Sequence, residues 1–359
     1  MTLRVALVGG PMYDHLYRLL DEFDVEVVVH ADHPTLNREV ATMLAQGERL
    51  DVLATHSKYA PSQAHWLQPL DGLVEFGSLA PLAVELCRHD GVQICVPRLI
   101  DVRILWCRTD RRGPAPSTWE DAAEGRAVFG FPGRESGLFG TFFELVVGAG
   151  GQLFDAEGRP TIDSPEAEAA VAMLCRLAAR APADLPTWHY DQVDRALLDG
   201  RIDAAGAWPG GWGPIRDSGL AGRLTPHPYP AGPERRVSYA GCHAWAVPST
   251  CGDLDGALTL LRALTSREAN ALDASGGNVC ADVDAFAAIE PTDDIDRERL
   301  EITRTTIETA MITYPPHPRF PEVEDAGWQA IHDALRGLRA PGPTVREIQA
   351  RAEAVLRAS

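Results

Sequence analysis

Two tryptophans that flank a short glycine-containing turn are the most distinctive candidate binding residues. Trp208 and Trp212 enclose the segment Pro209-Gly210-Gly211, which follows a strand predicted over 202–208. Indole faces stack on the apolar faces of small ligands, and glycines let a ligand approach the backbone closely. We therefore predict that Trp208 and Trp212 contact a small ligand. The alternative is that both indoles pack in the protein core.

A second group of candidates lies in loops that follow predicted strands. Ligands of parallel sheets bind beyond the carboxyl ends of the strands, and the strands predicted over 5–8 and 51–55 end at such loops. Lys58, the only lysine of the chain, would suit an anionic or hydroxyl-rich ligand, but the loop that carries it could equally be solvated. The candidates in these loops are Met12, Tyr13, His56, Ser57, Lys58 and Tyr59.

Charged pairs add further candidates. Asp101 and Arg103 stand at positions i and i+2, so they could share one face of a strand and bind the polar groups of a ligand together. A plain salt bridge between them is the alternative. Glu135 and Ser136 lie in a predicted turn over 133–137, and either could reach the same ligand.

Motifs of the familiar enzyme classes are missing from the sequence. The segment 134–137 lacks the GxSxG spacing of a hydrolase elbow, and there is neither a phosphate loop nor an HExxH pair. The acidic run 293–296 lacks the glycine and glutamate of a calcium loop, and the first strand lacks GxGxxG. None of the seven cysteines forms a CxxC pair. We therefore expect no metal and no cofactor.

Composition excludes several classes of protein. The 359 residues contain 33 Lys+Arg against 51 Asp+Glu, a formal net charge of −18, which argues against binding to nucleic acid or to anionic membranes. Hydrophobic residues make up 45%, as in an ordinary globular protein, and no apolar run is long enough for membrane insertion. The length suggests two domains.

Strands and helices alternate along the first hundred residues. Strands predicted over 5–8, 25–29 and 51–55 are separated by helical patterns over 13–23 and 37–46, which indicates a parallel sheet covered by helices. Because a strand begins almost at Met1, no signal sequence is apparent. The chain as it stands is therefore expected in the cytoplasm, or outside it if a leader was removed.

Several ordered motifs make the chain similar to the extracellular solute-binding proteins of family 1, the maltose-binding-protein-like receptors of ABC importers. The segments Asp51-Val52-Leu53 and Leu67-Gln68-Pro69-Leu70-Asp71 resemble motifs of the amino-terminal lobe. Pro116-Ser117-Thr118-Trp119-Glu120 resembles the "PpTWdE" segment of that family. The sequence from Leu198-Asp199-Gly200 to Trp208 resembles its "sGkaAM…gpW" stretch.

The resemblance implies an α/β protein with the two-lobe periplasmic-binding-protein type II fold, a hinge and a central cleft. We expect residues 1–108 and 245–298 in the amino-terminal lobe. We expect residues 109–244 and 299–359, with the carboxyl-terminal helices, in the other lobe. The family positions also predict ligand contacts by Tyr239, Cys242, His243 and Asn278.

The function implied by the resemblance is capture of a carbohydrate-like solute between the lobes by hinge closure. The expected partners are that solute and the permease subunits of an ABC transporter, and a monomer is expected. The first alternative is a cytoplasmic enzyme on the same scaffold, resembling a glycoside hydrolase or a lyase, with Glu135, Asp101 or His243 as acid or base. The second alternative is a cytoplasmic sensor that reports its ligand to a protein partner.

Overall fold

The computed structural model describes residues 1–10, 12–110, 113–220 and 222–358. The chain divides into two compact units: unit 1 is Met1–Asp101 with Gly241–Glu290, and unit 2 is Val102–Ala240 with Pro291–Ser359. The chain therefore passes between the units three times. The boundaries predicted from the sequence, after residues 108, 244 and 298, lie a few residues further along the chain in each case.

Strands and helices alternate through most of the described chain. The strands are β1 Leu3–Val8, β2 Val25–Ala31, β3 Val52–His56, β4 Arg88–His89, β5 Val92–Gln93, β6 Val96–Val102, β7 Ile104–Arg108, β8 Phe129–Gly130, β9 Ala204–Ala207, β10 Leu224–His227, β11 Ser238–Ala246 and β12 Met311–Ile312. The α-helices are α1 His33–Ala45, α2 Ala60–Gln63, α3 Pro81–Leu86, α4 Trp119–Glu124, α5 Glu135–Gly148, α6 Pro165–Ala178, α7 Tyr190–Leu198, α8 Trp212–Asp217, α9 Leu254–Leu264, α10 Arg267–Ser275, α11 Val283–Ala287, α12 Asp294–Thr309, α13 Phe320–Leu335 and α14 Pro341–Arg357.

The sheet of unit 1 has the strand order β2-β1-β3-β11, with β6 also beside β11. β1 pairs in parallel with both β2 and β3, so these three strands end at the same edge of the sheet. β11 runs antiparallel to β3 and places His243 opposite His56. The parallel sheet predicted for this part of the chain is confirmed, and its shared edge brings three loops together.

The sheet of unit 2 has the order β10-β7-β9-β8, and β12 separately pairs with the first residues of β11. The core beside it is built around α5, which is buried on nearly all sides through residues such as Phe139, Phe142 and Val146. Gly327 on α13 lets that helix approach α5 closely, because a β-carbon there would lie 2.3 Å from the ring of Phe139.

Capping residues fix the starts of several helices. The Thr118 hydroxyl accepts a hydrogen bond from the amide of Asp121 at the start of α4, and the Ser164 hydroxyl accepts from Ala167 at the start of α6. Asp293, which belongs to the acidic run considered above, caps α12 in the same manner through the amide of Asp296. The acidic run is thereby explained as a helix start.

A buried ion pair anchors the interior of unit 1. The Arg98 guanidinium donates to both carboxylate oxygens of Asp273 at 3.0 Å, and His15 lies 3.0 Å from the same carboxylate. Burial alone would raise the pKa of Asp273, but the hydrogen bonds from His15 and Arg98 outweigh it and lower the pKa. The carboxylate is therefore ionised at neutral pH and neutralises the buried cation of β6.

Asp273→Asn should destabilise the protein by about 3–5 kcal/mol at pH 7, because it leaves Arg98 buried without a counter-charge. A carboxyl with a lowered pKa contributes stability above its unfolded-state pKa of about 3.9 and loses it as the pH falls through the folded-state value. The difference from wild type in urea unfolding should therefore shrink below about pH 4. The exposed Asp21→Asn is the matched control. Equal effects of the two variants at pH 7 would contradict the assignment.

Candidate functional site

Three histidines of unit 1 converge at the edge where the parallel strands end. His56 is the last residue of β3, His243 faces it from β11, and His33 is the first residue of α1. The ring centroids of His33 and His243 are 4.8 Å apart, and those of His56 and His243 are 4.9 Å apart. These three side chains are called the histidine cluster below.

A buried carboxylate lies against the histidine cluster. Asp101 Oδ2 accepts a hydrogen bond from Nε2 of His243, and both side chains are buried. Nδ1 of His243 lies 2.9 Å from Nε2 of His33, and the hydroxyl of Tyr13 lies 3.3 Å from His243 Nε2. The other oxygen of Asp101, Oδ1, is buried without a hydrogen-bond partner among the described residues. An acceptor in this position is available to a ligand.

Burial determines the charge of two rings of the cluster, His33 and His56. It lowers the pKa of His33 well below the ordinary value, and the charges of His243 and Lys58 lower it further. Burial likewise lowers the pKa of His56, again with a contribution from His243. Both rings are neutral at neutral pH, so each offers one N–H donor and one lone pair to its surroundings.

The residues after β3 have different roles. His56 is a member of the histidine cluster. The buried Tyr59 packs against the cluster, because its ring stacks on His33 with centroids 6.1 Å apart. The half-buried Lys58 places its ammonium 4.7 Å from the centre of the Tyr59 ring. Ser57 instead ties the loop to β11, because its hydroxyl accepts from the amide of Cys242 at 3.0 Å.

The loop after β1 is held by side chains from elsewhere in unit 1. Arg98 donates to the carbonyl of Tyr13 at 3.1 Å, and Asn278 donates to the carbonyl of Met12 at 2.8 Å. These bonds keep the Tyr13 ring against His243, with centroids 5.0 Å apart. Asn278 is buried and its Oδ1 has no hydrogen-bond partner among the described residues, so Asn278 anchors the loop and also offers an acceptor.

Unit 2 carries a separate aromatic group, defined as Tyr190, Trp208, Tyr239 and Tyr314. Trp208 meets Tyr190 and Tyr239 edge to face, at centroid distances of 5.8 and 5.9 Å. Tyr239 and Tyr314 are 4.3 Å apart. Trp208 is partly exposed while Tyr239 is buried, so Trp208 is the member that can offer a ring face to a ligand.

A buried ion pair supports the aromatic group. The Arg103 guanidinium donates to both oxygens of Glu144 and lies 5.5 Å from the ring centre of Trp208. The amide of Tyr239 donates to Glu144 at 2.7 Å. Burial raises the pKa of Glu144 to about 7, against the opposing effects of Arg103 and of the Tyr239 amide. The pair fixes both Trp208 and the Tyr239 backbone.

Two sequence expectations change in this light. Asp101 and Arg103 do not bridge to each other in the described chain, because Asp101 bonds His243 and Arg103 bonds Glu144. Trp212 is buried and stacks on Trp106 with centroids 5.7 Å apart, which favours the core alternative for this tryptophan.

Cys242 is also a core residue. It is fully buried on β11, with its sulfur 3.9 Å from that of Cys87. Neighbouring residues of a strand point to opposite faces, so the side chain next to His243 points away from the cluster. Cys242 is therefore removed from the candidate contacts.

Glu135 and Ser136 lie in the first turn of α5, not in the predicted turn before it. A turn was predicted there because residues 133–137 are all glycine or polar, whereas α5 already begins at Glu135. Glu135 has a left-handed φ of 56° and pairs with Arg134 at 2.6 Å, with His189 at 3.6 Å. Such a conformation is strained in a non-glycine residue, which keeps Glu135 a candidate contact of unit 2.

Two histidines of the cluster and Asp101 together form a possible set of metal ligands that no sequence motif indicated. One donor atom from each of His56, Asp101 and His243 lies within 4.8 Å of the other two. Two imidazoles and a carboxylate are a ligand set that transition metals accept. No metal was expected from the sequence, because the three residues lie far apart in the chain and form no motif.

The sequence analysis missed several residues of both groups. His33 follows β2 at the edge predicted to bind ligands, so applying the strand-end rule to the second strand would have identified it. Tyr190 and Tyr314 had no such signal, because only the folded chain brings them to Trp208.

Residues 15–271 match the sequence profile of the bacterial extracellular solute-binding proteins. The chain belongs to this family. The match covers most of both units, and it agrees with the resemblance that the ordered motifs suggested.

Solved structures of such proteins share the fold over nearly the whole chain. Maltose-bound MalE3 of Thermotoga maritima is 23% identical, with a TM-score of 0.87 over 98% of this chain and 99% of that one. An ABC-transporter solute-binding protein of Thermotoga lettingae, bound to α-D-tagatose, is 20% identical, with a TM-score of 0.83 over 99% of both chains.

A third relative, from Agrobacterium radiobacter in complex with ribitol, is 18% identical, with a TM-score of 0.84 over 99% of this chain and 98% of that one. The predicted two-lobe fold of this family is confirmed. In the described part of the chain, none of the helices combines the length and the apolar character needed to cross a bilayer.

The two tryptophans should respond differently to truncation. Trp212→Ala should lower the free energy of unfolding by about 3–5 kcal/mol, because it removes a buried ring from the core of unit 2. Trp208→Ala should cost clearly less, since the ring is partly exposed. Urea unfolding of both variants measures the difference, and equal losses would contradict the separation of core from candidate contact.

Proposed function

We propose that this protein is the solute receptor of an ABC-type importer and that its solute is a small polyhydroxylated, sugar-like molecule. The observation that carries the proposal is the uncommitted Oδ1 of Asp101, buried beside the histidine cluster at the strand-end edge of unit 1. A buried carboxylate oxygen binds hydroxyl groups well, because the charge strengthens each hydrogen bond.

The surrounding side chains suit the same chemistry. Neutral imidazoles both donate and accept hydrogen bonds, as a sugar hydroxyl does, and the hydroxyl of Tyr13 adds a third kind of polar partner. Lys58, at the side of the cluster, supplies a further cationic donor. Unit 1 therefore offers a dense set of polar groups that could fix the orientation of hydroxyls.

Unit 2 carries a candidate contact of its own, an aromatic face. Trp208, backed by Tyr190, Tyr239 and Arg103, is held rigidly enough to stack on the C–H face of a sugar ring. The family relatives named above, which were solved with maltose, tagatose and ribitol, support a solute of this class. Closure of the two lobes on the solute stays a prediction of the family resemblance.

The proposal also includes a location and a partner. Membership of an extracellular family supports action outside the cytoplasm, and the receptor role supports docking to the permease subunits of a transporter. The cytoplasmic enzyme and sensor alternatives have no comparable support in the geometry. Asp101 and His243 bond each other, whereas Glu135 is paired with Arg134.

A thermal-shift screen with maltose, tagatose, ribitol and related sugars tests the solute class. A ligand present at about 100 times its Kd stabilises the folded state by about 2.7 kcal/mol, which raises Tm by several degrees. Trp208→Ala should weaken binding by about 10- to 100-fold, equivalent to roughly 1.4–2.8 kcal/mol. The matched control is Trp328→Ala, since Trp328 is also partly buried in unit 2. Absence of a shift with every sugar would overturn the proposal.

The single lysine allows a second and independent test. An amine-reactive acylating reagent can label only Lys58 and the terminal α-amino group. A bound solute should slow the acylation of Lys58 at least several-fold, because it would cover the half-buried ammonium, while the α-amino group serves as an internal control. Mass spectrometry of peptides measures both rates. Unchanged labelling of Lys58 at a solute concentration that raises Tm would remove Lys58 from the site.

A further inference from the structure

Two histidines of the cluster and the neighbouring Asp101 come from three neighbouring strands of one sheet. His56 ends β3, His243 lies on β11 directly opposite, and Asp101 lies on β6, which also pairs with β11. Directly opposed residues of an antiparallel pair have side chains on the same face, with β-carbons about 5 Å apart. A sheet holds such donors more precisely than loops do.

The distances suit a single ion. The donor atoms of His56, Asp101 and His243 all lie within 4.8 Å of one another. Donors that bind zinc at about 2.0–2.2 Å lie at most about 4 Å apart around the ion, so small rotations of the side chains would close the site.

A second observation points independently to a ligand. Asp101 is 6% exposed, and its Oδ1 has no hydrogen-bond partner in the described part of the chain. A buried, unsatisfied carboxylate oxygen is rare in native structures and calls for an explanation, one of which is an ion.

The surroundings of His243 also match those of a metal-binding histidine. Such a ring binds the ion through one nitrogen and is oriented by a hydrogen bond at the other. His243 places Nε2 at Asp101 and Nδ1 2.9 Å from Nε2 of His33. An ion at Nε2 would move the ring proton of His243 from Nε2 to Nδ1, and His33, with its own proton on Nδ1, would then accept a hydrogen bond from His243 Nδ1–H at its Nε2.

We propose that His243, Asp101 and His56 bind a divalent transition-metal ion, for which Zn²⁺ is the probe. Two imidazoles favour zinc and similar ions over magnesium or calcium, which prefer oxygen ligands. Three protein ligands leave at least one coordination position open for water or for an oxygen of a bound solute. The metal site stands whether or not the solute is a sugar, although the two proposals share one cluster.

His56 is the weakest of the three ligands. The backbone amide of Lys58 donates to its Nδ1 at 3.0 Å, so the ring proton resides on Nε2 in the free chain. Coordination through Nε2 moves that proton to Nδ1, which breaks the bond to Lys58 and requires the loop after β3 to shift. The nearby ammonium of Lys58 also opposes a cation. His243 and Asp101 should therefore dominate the affinity.

Titration of the chelator-treated, full-length protein with Zn²⁺ tests the proposal, by calorimetry and by competition with a chromogenic chelator. Wild type should bind one zinc ion per chain. His243→Ala and Asp101→Asn should each weaken binding about 100-fold or more, whereas His56→Ala and His33→Ala should weaken it about 10-fold. The exposed His65→Ala is the matched control and should bind as wild type does.

Substitution with Co²⁺ gives a readout of the ligands themselves, because visible absorption bands of the bound ion change when a nitrogen ligand is lost. His243→Ala should change these bands and His65→Ala should not. Circular dichroism establishes that each variant is folded, and Asp101→Asn, which preserves side-chain volume, decides the matter if His243→Ala fails to fold. Lack of stoichiometric zinc binding by wild type, or equal binding by wild type and Asp101→Asn, would overturn the proposal.

The same preparations separate this proposal from that of the solute class. Sugar-induced thermal shifts are measured once with chelator and once with Zn²⁺. A sugar shift without zinc binding refutes the metal site and leaves the sugar receptor standing. Zinc binding without any sugar-induced thermal shift refutes the sugar receptor and leaves the metal site standing.

Discussion

The register of β3 against β11 is the constraint on which the site of unit 1 depends. It places His243 opposite His56 and puts both rings on one face of the sheet. A slip by one residue would turn His243 into the opposite layer and bring Cys242 to the cluster in its place. The reciprocal hydrogen bonds between Ser57 and Cys242 stabilise the observed pairing at the very end of β3. The backbone pairing of β3 with β11 therefore determines which side chains meet in the cluster.

Buried ion pairs hold two further elements in place, the loop beside the histidine cluster in unit 1 and Trp208 of the aromatic group in unit 2. In unit 1, Arg98 is neutralised by Asp273 and holds the carbonyl of Tyr13. In unit 2, Arg103 is neutralised by Glu144 and lies under Trp208. A buried pair contributes little net stability compared with apolar packing, but removal of one partner is strongly destabilising. Their value here is positional, since each pair connects a strand to a side chain that can meet a solute.

Much of the fold is predictable from local patterns. Runs rich in apolar residues identified β1, β2 and β3, and Thr118 and Ser164 are of the residue types that commonly cap helices, as they do at α4 and α6. The start of α5 was misjudged because its first residues, Glu135, Ser136 and Gly137, are polar or glycine and no side chain caps the helix. Strand β11 was not predicted, since a long buried strand lacks the alternation of polar and apolar residues.

The site was predictable only as far as strand ends reveal it. His56, Lys58 and Tyr59 were found because they follow a strand directly, whereas His33 stands at the start of a helix two residues after β2. The contact of Asp101 with His243 joins positions far apart in the chain, and no periodicity carries that information. Asp101 and Arg103 are only two residues apart, yet Asp101 bonds His243 and Arg103 bonds Glu144. Only contacts between distant parts of the chain distinguish the two.

The two proposals for the cluster use the same unsatisfied oxygen, and they are chemically compatible only because a bound metal can itself coordinate hydroxyl groups. A hydroxyl group of a solute and a metal ion each supply the positive partner that Asp101 Oδ1 lacks in the described chain. A metal held by three protein ligands keeps a position open, and vicinal hydroxyls are oxygen donors that can fill it. With metal bound, the Asp101 charge is satisfied by the ion, so hydroxyl recognition would shift to Lys58, Tyr13 and the coordination position itself. Asp101→Asn would then impair metal and sugar together, whereas Trp208→Ala would impair only the sugar.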